Sequence, residues 1–279
     1  MKKYPGNRFS HLILPMICWL SASLLETSCQ KSISEEFSDQ PVVEAYLIPG
    51  QKVSVKITRK TPYETDGQPS ATDLNTLDIK VNYNGTWLTL LPCGEGVYSD
   101  TAGVIPVIPD STYILAFNFN QNDVSSSTII PVKPTSVTQS VTTVSMEQFD
   151  PDNPSWSRPP DPIEIGFANN DESYYFLTVE CIDTVLVPVY KDSIPANDIL
   201  STQPVAGTQI NIQPMSIRYF GKNRIILYHI TPEYSIFFMQ QASTSQNYQN
   251  PPTNIENGLG IFTGINADTL FLDVVQTEE

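Results

Sequence analysis

Few residues in this chain could do chemistry. Of its two histidines only His229 lies outside the N-terminal 28 residues. It sits inside the apolar run "RIILYHIT", so a multi-histidine metal cluster is excluded, and any Ser-His or Cys-His relay must pass through this one side chain. Its neighbours favour a strand-end histidine packed under a following helix. No G-x-S-x-G elbow, H-E-x-x-H pair or phosphate-cradling loop occurs. Gly258, Gly260 and Gly264 in "IENGLGIFTG" lack G-x-G-x-x-G spacing and do not open a helix, so they read as a loop turning tightly against a sheet. Glu164, Glu172, Glu180 and Asp183 could supply paired carboxylates for glycoside hydrolysis, but such groups meet only in the fold, and on alternating strands they form a solvated face. "ANNDES", Ala168 to Ser173, offers oxygen ligands without EF-hand spacing and reads as a hairpin turn. No metal or cofactor is implied, and the expectation is a protein that is not an enzyme.

Binding is the better prospect. Trp87, Trp156 and Tyr248 are the candidate ligand-binding aromatics. Trp156 lies in the proline-dense "DPDNPSWSRPPDP", where an indole could stack on a sugar, plug into a partner or pin its own loop.

The cysteines lead to the N-terminus. Lys2, Lys3 and Arg8 precede the apolar run "HLILPMICWLSASLL", a basic n-region followed by an h-region. Pro15 and the small residues Ser21, Ala22 and Ser23 interrupt that run, which falls short of the roughly 20 apolar residues of a spanning helix. The expectation is a signal peptide over residues 1–28. "LETSC" resembles the lipoprotein signal-peptide box, with Thr27 and Ser28 suiting the positions before cleavage and Glu26 standing where leucine is usual. Cys29 is therefore the expected lipid attachment point, and its acyl chains would anchor the protein to a membrane. Residues 29–40 form an acidic tether. Removing residues 1–28 takes away three basic residues and Glu26, leaving 12 basic against 29 acidic and a formal charge of −17. Such a chain has no basic stripe for nucleic acid. With Cys18 gone and Cys29 used, Cys93 and Cys181 remain, and two buried thiols are favoured over a disulfide between them.

These residues must be positioned by strands. From Pro41 to Pro131 the sequence alternates with period two and shows no helical pattern: "PVVEAYLI", "QKVSVKITR", "LDIKVNYNGTWLTLL", "GVYS", "STYILAFNFN" and "DVSSSTIIP" predict about seven strands. Asn84-Gly85 marks a two-residue hairpin. The spacing suits an immunoglobulin-like β-sandwich over 41–131, followed by a proline-rich linker over 132–139. Residues 140–279 are expected to form a second, mainly β domain. In it "IEIGFAN" and "SYYFLTVECI" read as paired central strands, and "NPPTNIENGLGIFTGINADTLFLDV" closes with a Gly-rich turn and two short strands. One helix is expected at about 231–243, with Thr231 as cap, Pro232 in the first turn and Glu233 at the positive dipole end. Its stripe of Tyr234, Phe237, Phe238 and Gln241 would pack on a sheet.

"PVVEAYLIPGQKVSVKITR", "LPCGEGVY" and the terminal "NPPTNIENGLGIFTG" together resemble the Bacteroidota outer-membrane lipoproteins of domain-of-unknown-function family 4249. The resemblance implies a cell-surface, lipid-anchored protein encoded beside TonB-dependent receptors, hence a TonB-dependent receptor partner and an accessory role in nutrient capture and uptake. It carries no catalytic residues to transfer. "QKSISEEFSDQ" is similar to the tag that sends such lipoproteins to the outer leaflet. The same phylum glycosylates Asp-Ser/Thr tripeptides, which implies O-glycosylation at Thr101, Ser111, Thr184, Ser193 and Thr269. Two other functions stay open: a glycan-binding or glycan-processing surface protein, with a glycan or peptide ligand, and a structural adhesin or assembly subunit recognisable by exposed strand edges.

Overall fold

Where the sequence alternates, the chain pleats. In the computed structural model, which describes residues 39–60, 73–150, 152, 160–191, 197–241 and 252–277, Val43, Ala45 and Leu47 of β1 (Pro41–Leu47) and Val55 and Ile57 of β2 (Ser54–Arg59) face one core, with polar neighbours between them, as period two requires. β3 (Lys80–Tyr83) turns into β4 (Thr86–Thr89) through Asn84 and Gly85, whose φ values of 50° and 78° match the strand twist. The Asn82 side chain accepts the Gly85 N–H at 3.1 Å. Leu90 is buried, and the chain passes directly into β5 (Leu91–Gly94), antiparallel to β6 (Val97–Ser99). β5 was hidden in the sequence because Pro92 and Gly94 break its alternation. A second two-residue hairpin, Asn120-Gln121, both with positive φ, joins β7 (Thr112–Phe119) to β8 (Asn122–Ile129).

The second half contains β9 (Thr138–Gln139), β10 (Thr143–Met146), β11 (Ile163–Gly166), β12 (Tyr174–Cys181), β13 (Val187–Pro188), β14 (Leu200–Ser201), β15 (Gln209–Ile212), β16 (Tyr219–Ile230), helix α1 (Pro232–Gln241) and β17 (Leu259–Gln276). The protein is mainly β and sandwich-like, with one α-helix among the described residues. A four-stranded sheet, β4-β3-β7-β8, faces β1, β2 and β6 across a first core that includes Ile57, Tyr98, Tyr113 and Phe119. A three-stranded sheet, β15-β11-β9, faces β12, β16 and β17 across a second core that includes Ile165, Leu177, Leu227 and Leu272. Both halves of this arrangement share one ten-stranded sheet, in which the order β14-β12-β16-β17-β1-β2-β6-β5 is followed. The described residues from Asp39 onward accordingly form one compact unit.

β17 is where the structure departs most from the expectation of a turn and two short strands. "NAD" at Asn266 to Asp268 looks like a break, yet β16 pairs antiparallel with β17 without interruption from Gly221↔Val274 to Ile230↔Ile265. Ladder bonding on this side outweighs local turn preference. The N-terminal part of β17 runs parallel to β1 and puts Phe262 into the first core; its later residues Leu272 and Val274 lie in the second. Gly260 and Gly264 are strand residues, not loop residues. A Cβ on Gly260, at φ +94°, would lie 2.0 Å from the Val43 carbonyl oxygen, and one on Gly264 would lie 2.7 Å from that of Ile129.

β11 and β12 are not paired with each other: β11 sits between β15 and β9, and β12 between β16 and β14. "ANNDES" is therefore a crossing between sheets and not a hairpin. Asn169 holds it by donating to the carbonyls of Ser173 and Gly207 and accepting the Ser173 N–H, while Glu172 takes a positive φ. In the proline-rich stretch, Pro131 O accepts from Asn266 Nδ2 at 2.9 Å, Val132 O from His229 Nδ1 at 2.7 Å, and Lys133 pairs with Asp268 at 2.8 Å. Three successive residues are thus bonded to β16 and β17, and β9 begins soon after.

Candidate binding face

Trp87 is fixed by the Asn84-Gly85 hairpin. In register, Trp87 lies opposite Asn82 and Asn82 opposite Ile114, which lies opposite Ser127; one row along, Thr89, Lys80, Ala116 and Ser125 follow. All these side chains point away from the first core, because the inward parity belongs to Val81, Leu115 and Val124. Trp87 is 48% exposed, and Ile114 and Ile129 are also exposed. Lys80, Trp87, Thr89 and Ala116 line a shallow depression of about 470 Å³. Lys80 reaches Asp78 at 2.7 Å. The result is an indole beside a floor of small, hydroxyl and amide side chains, suited to stacking and hydrogen bonding. Ile129 was legible in principle: it is a large apolar residue at the outward parity of a strand whose neighbouring outward positions, Ser125 and Ser127, are polar.

The outer face of the ten-stranded sheet is different. Phe176 stacks on Tyr228 with ring centroids 4.7 Å apart, and α1 lays Tyr234 and Phe238 over them, the Phe238 ring 5.2 Å from Phe176. Tyr46 meets Tyr234 edge-on at 5.8 Å, and burial pushes its phenol up to about 12. Thr231 Oγ1 accepts the Tyr234 N–H at 3.3 Å, as the expected cap. Phe237 instead turns toward Pro252, Asn254 and Ile261, beside Glu233 and Ile236 in a small apolar cleft.

His229 is 5% exposed and stacks on Tyr175 at 4.5 Å. Its Nδ1 donates to Val132 O, which assigns the proton of the neutral ring to that nitrogen. Burial lowers its pKa, opposed by the Val132 carbonyl and by Asp171. Asp171 is itself held down by the Ser173 hydroxyl. His229 is thus a clamp on the connecting segment.

The carboxylates are not brought together as a pair. Glu180 bonds Arg224 at 2.7 Å, and Asp183 Oδ2 accepts the Lys222 N–H at 3.0 Å. Glu164 points outward from β11, on the far side of the second core from Glu180, and Glu172 lies in the 168–173 crossing. Among the described residues no cluster of three or more His, Cys, Asp or Glu side chains could hold a metal ion. Cys93 and Cys181 are unpaired. The expectation that both are buried fails at Cys93: β5 ends its sheet, and all four of its residues are exposed, so neither parity is covered by the first core. Cys181 is half-buried, and burial raises its pKa.

Of the expected modification positions, Thr101, Thr184 and Thr269 are exposed and Ser111 is half-buried. Asp100 beside Thr101 is buried, its carboxylate accepting the Ile105 N–H at 2.6 Å. Cys29, Trp156, Tyr248 and Ser193 lie outside the described residues. No described helix is long and apolar enough to cross a membrane.

The sequence profile described as "Domain of unknown function (DUF4249)" matches residues 27–270. No curated protein matches. Among solved structures, the chain is similar to the FN1–FN3 domains of chicken CNTN1, at 11% identity and a TM-score of 0.24, covering 70% of this chain and 61% of that one.

Proposed function

This chain belongs to the DUF4249 family, and from that premise we propose that it is a non-catalytic outer-membrane lipoprotein of Bacteroidota. It is anchored through Cys29, faces the cell surface and assists a TonB-dependent receptor in nutrient capture and uptake. The observation that carries the binding role is the outer face of the four-stranded sheet, where Trp87 stands exposed among Asn82, Thr89 and Ser127. The bonding of His229 to a main-chain carbonyl supports the non-catalytic reading, since that residue is the one histidine available to a mature chain. The receptor follows from the family resemblance.

The test is purification of the tagged full-length protein from detergent-solubilised outer membranes. A TonB-dependent receptor in stoichiometric amount supports the proposal; its repeated absence after mild cross-linking overturns the partnership. Cys29→Ala should release the protein from the membrane fraction, and continued membrane attachment would overturn the anchor. The exposed Trp87 also favours a second reading, a glycan-binding surface protein. An oligosaccharide whose binding quenches the indole and is lost in Trp87→Ala would establish that reading.

A further inference from the structure

We propose that the outer edge of β4 accepts an extended segment of another polypeptide as an added strand. The two-residue hairpin makes Tyr83 and Thr86 a hydrogen-bonded pair, and antiparallel pairs alternate between bonded and non-bonded. The Leu90 N–H bond to Ile79 O at 2.9 Å fixes the phase. Asn82↔Trp87 and Lys80↔Thr89 are therefore the non-bonded pairs. The N–H and C=O groups of Trp87 and Thr89 consequently point away from β3, and among the described residues β4 is the terminal strand of its sheet. Four main-chain groups are offered there. Groups so spaced are matched by a second extended backbone.

The other two edges around the first core are blocked. β5 carries Pro92, which has no N–H, and a register shift between Pro92 and Gly94, the usual devices against strand addition. β8 is met by the 254–256 segment: Glu256 N–H bonds Ser125 O at 2.8 Å, and Ser126 Oγ donates to Asn254 O at 2.8 Å. β4 reads Thr-Trp-Leu-Thr, with neither proline, charge nor bulge. Its composition favours strand pairing, and the exposed indole of Trp87 would be covered by a side chain of the incoming strand.

The occupant is a neutral or basic segment of a different protein. A formal charge of −15 on the chain disfavours a second copy by self-repulsion and favours an uncharged or cationic strand. This binding mode goes beyond the receptor proposal and holds whatever the partner's identity, because the contacts are main-chain to main-chain.

The experiment titrates nitrogen-15-labelled mature chain (residues 29–279) with a soluble peptide of alternating threonine and valine flanked by lysines. The expected result is a shift of the Trp87 and Thr89 amide signals with slowed hydrogen exchange at both. Methylating alternate peptide nitrogens should weaken binding about tenfold or more, the loss expected for the two main-chain hydrogen bonds donated to the Trp87 and Thr89 carbonyls. Thr89→Pro should do the same, since it removes an outward N–H and no ladder bond. The methylated peptide keeps the test intact if that variant folds poorly. Unmoved Trp87 and Thr89 amides at millimolar peptide overturn the proposal. A dimer abolished by Thr89→Pro would make a second copy the occupant and overturn it too, as would an oligosaccharide that shifts the Trp87 indole while the peptide shifts nothing.

Discussion

Two patches of outward aromatic residues on the sheets of this molecule, one around Phe176 and one around Trp87, have opposite fates. On the ten-stranded sheet, Phe176 and Tyr228 are roofed by Tyr234 and Phe238 of α1, so Phe176 is 6% exposed. On the four-stranded sheet nothing among the described residues roofs Trp87, Ile114 or Ile129. The chain supplies its own cover to the first patch, whose aromatics serve as core, while Phe271 farther along the same sheet stays exposed. An outward aromatic without such cover is available to a partner. The difference comes from a 10-residue helix placed between β16 and β17, and no comparable element among the described residues covers the β3–β4 hairpin.

That contrast can be broken most forcefully at Phe176. Phe176→Ala should cost about 3–4 kcal/mol in urea unfolding, the range for a buried phenylalanine truncated in a packed site; a loss below about 1 kcal/mol would mean that α1 is not a structural roof. Gly260→Ala should cost about 2–3 kcal/mol, because the added methyl collides with backbone at a positive φ. An unchanged unfolding midpoint there would contradict the close approach of β17 to β1. Smaller again is the effect of His229. Its folded pKa is lowered, so the stability held by the neutral ring is complete above about pH 6.5 and declines as pH falls through the folded value. His229→Asn, which keeps a donor for Val132 O, should flatten that part of the pH dependence in paired thermal unfolding curves at pH 7.5, 6 and 5. Trp87→Ala should move stability least, by at most about 0.5 kcal/mol. A loss of about 2 kcal/mol or more would show that the indole packs on its own sheet, and would remove the contrast between the faces.

The sequence was most informative where a local rule and the tertiary need agreed. Asn84-Gly85 takes two positive φ angles, Thr231 caps α1, and alternation in β1, β2 and β7 sorts inward from outward side chains. It was least informative where partner strands override local preference. β5 forms around Pro92 because β6 pairs with it, and β17 continues through Asn266-Ala267-Asp268 because β16 does. The candidate face was half visible: Trp87 stood out by type and Ile129 by parity, whereas Lys80 and Ile114 join it only through register.

From its residues alone, the chain determines a lean chemistry, with one histidine and two cysteines left after residue 29, and the strand periods that make it a β protein. Periodicity and turn chemistry are local, acting over two to four residues, so a linear reading captures them. Tertiary structure decided which outward aromatics are covered, which thiol meets solvent and which strand edge is open among the described residues. Those outcomes depend on pairing between residues far apart in the chain, such as Val42 with Leu259, and on where one helix comes to rest.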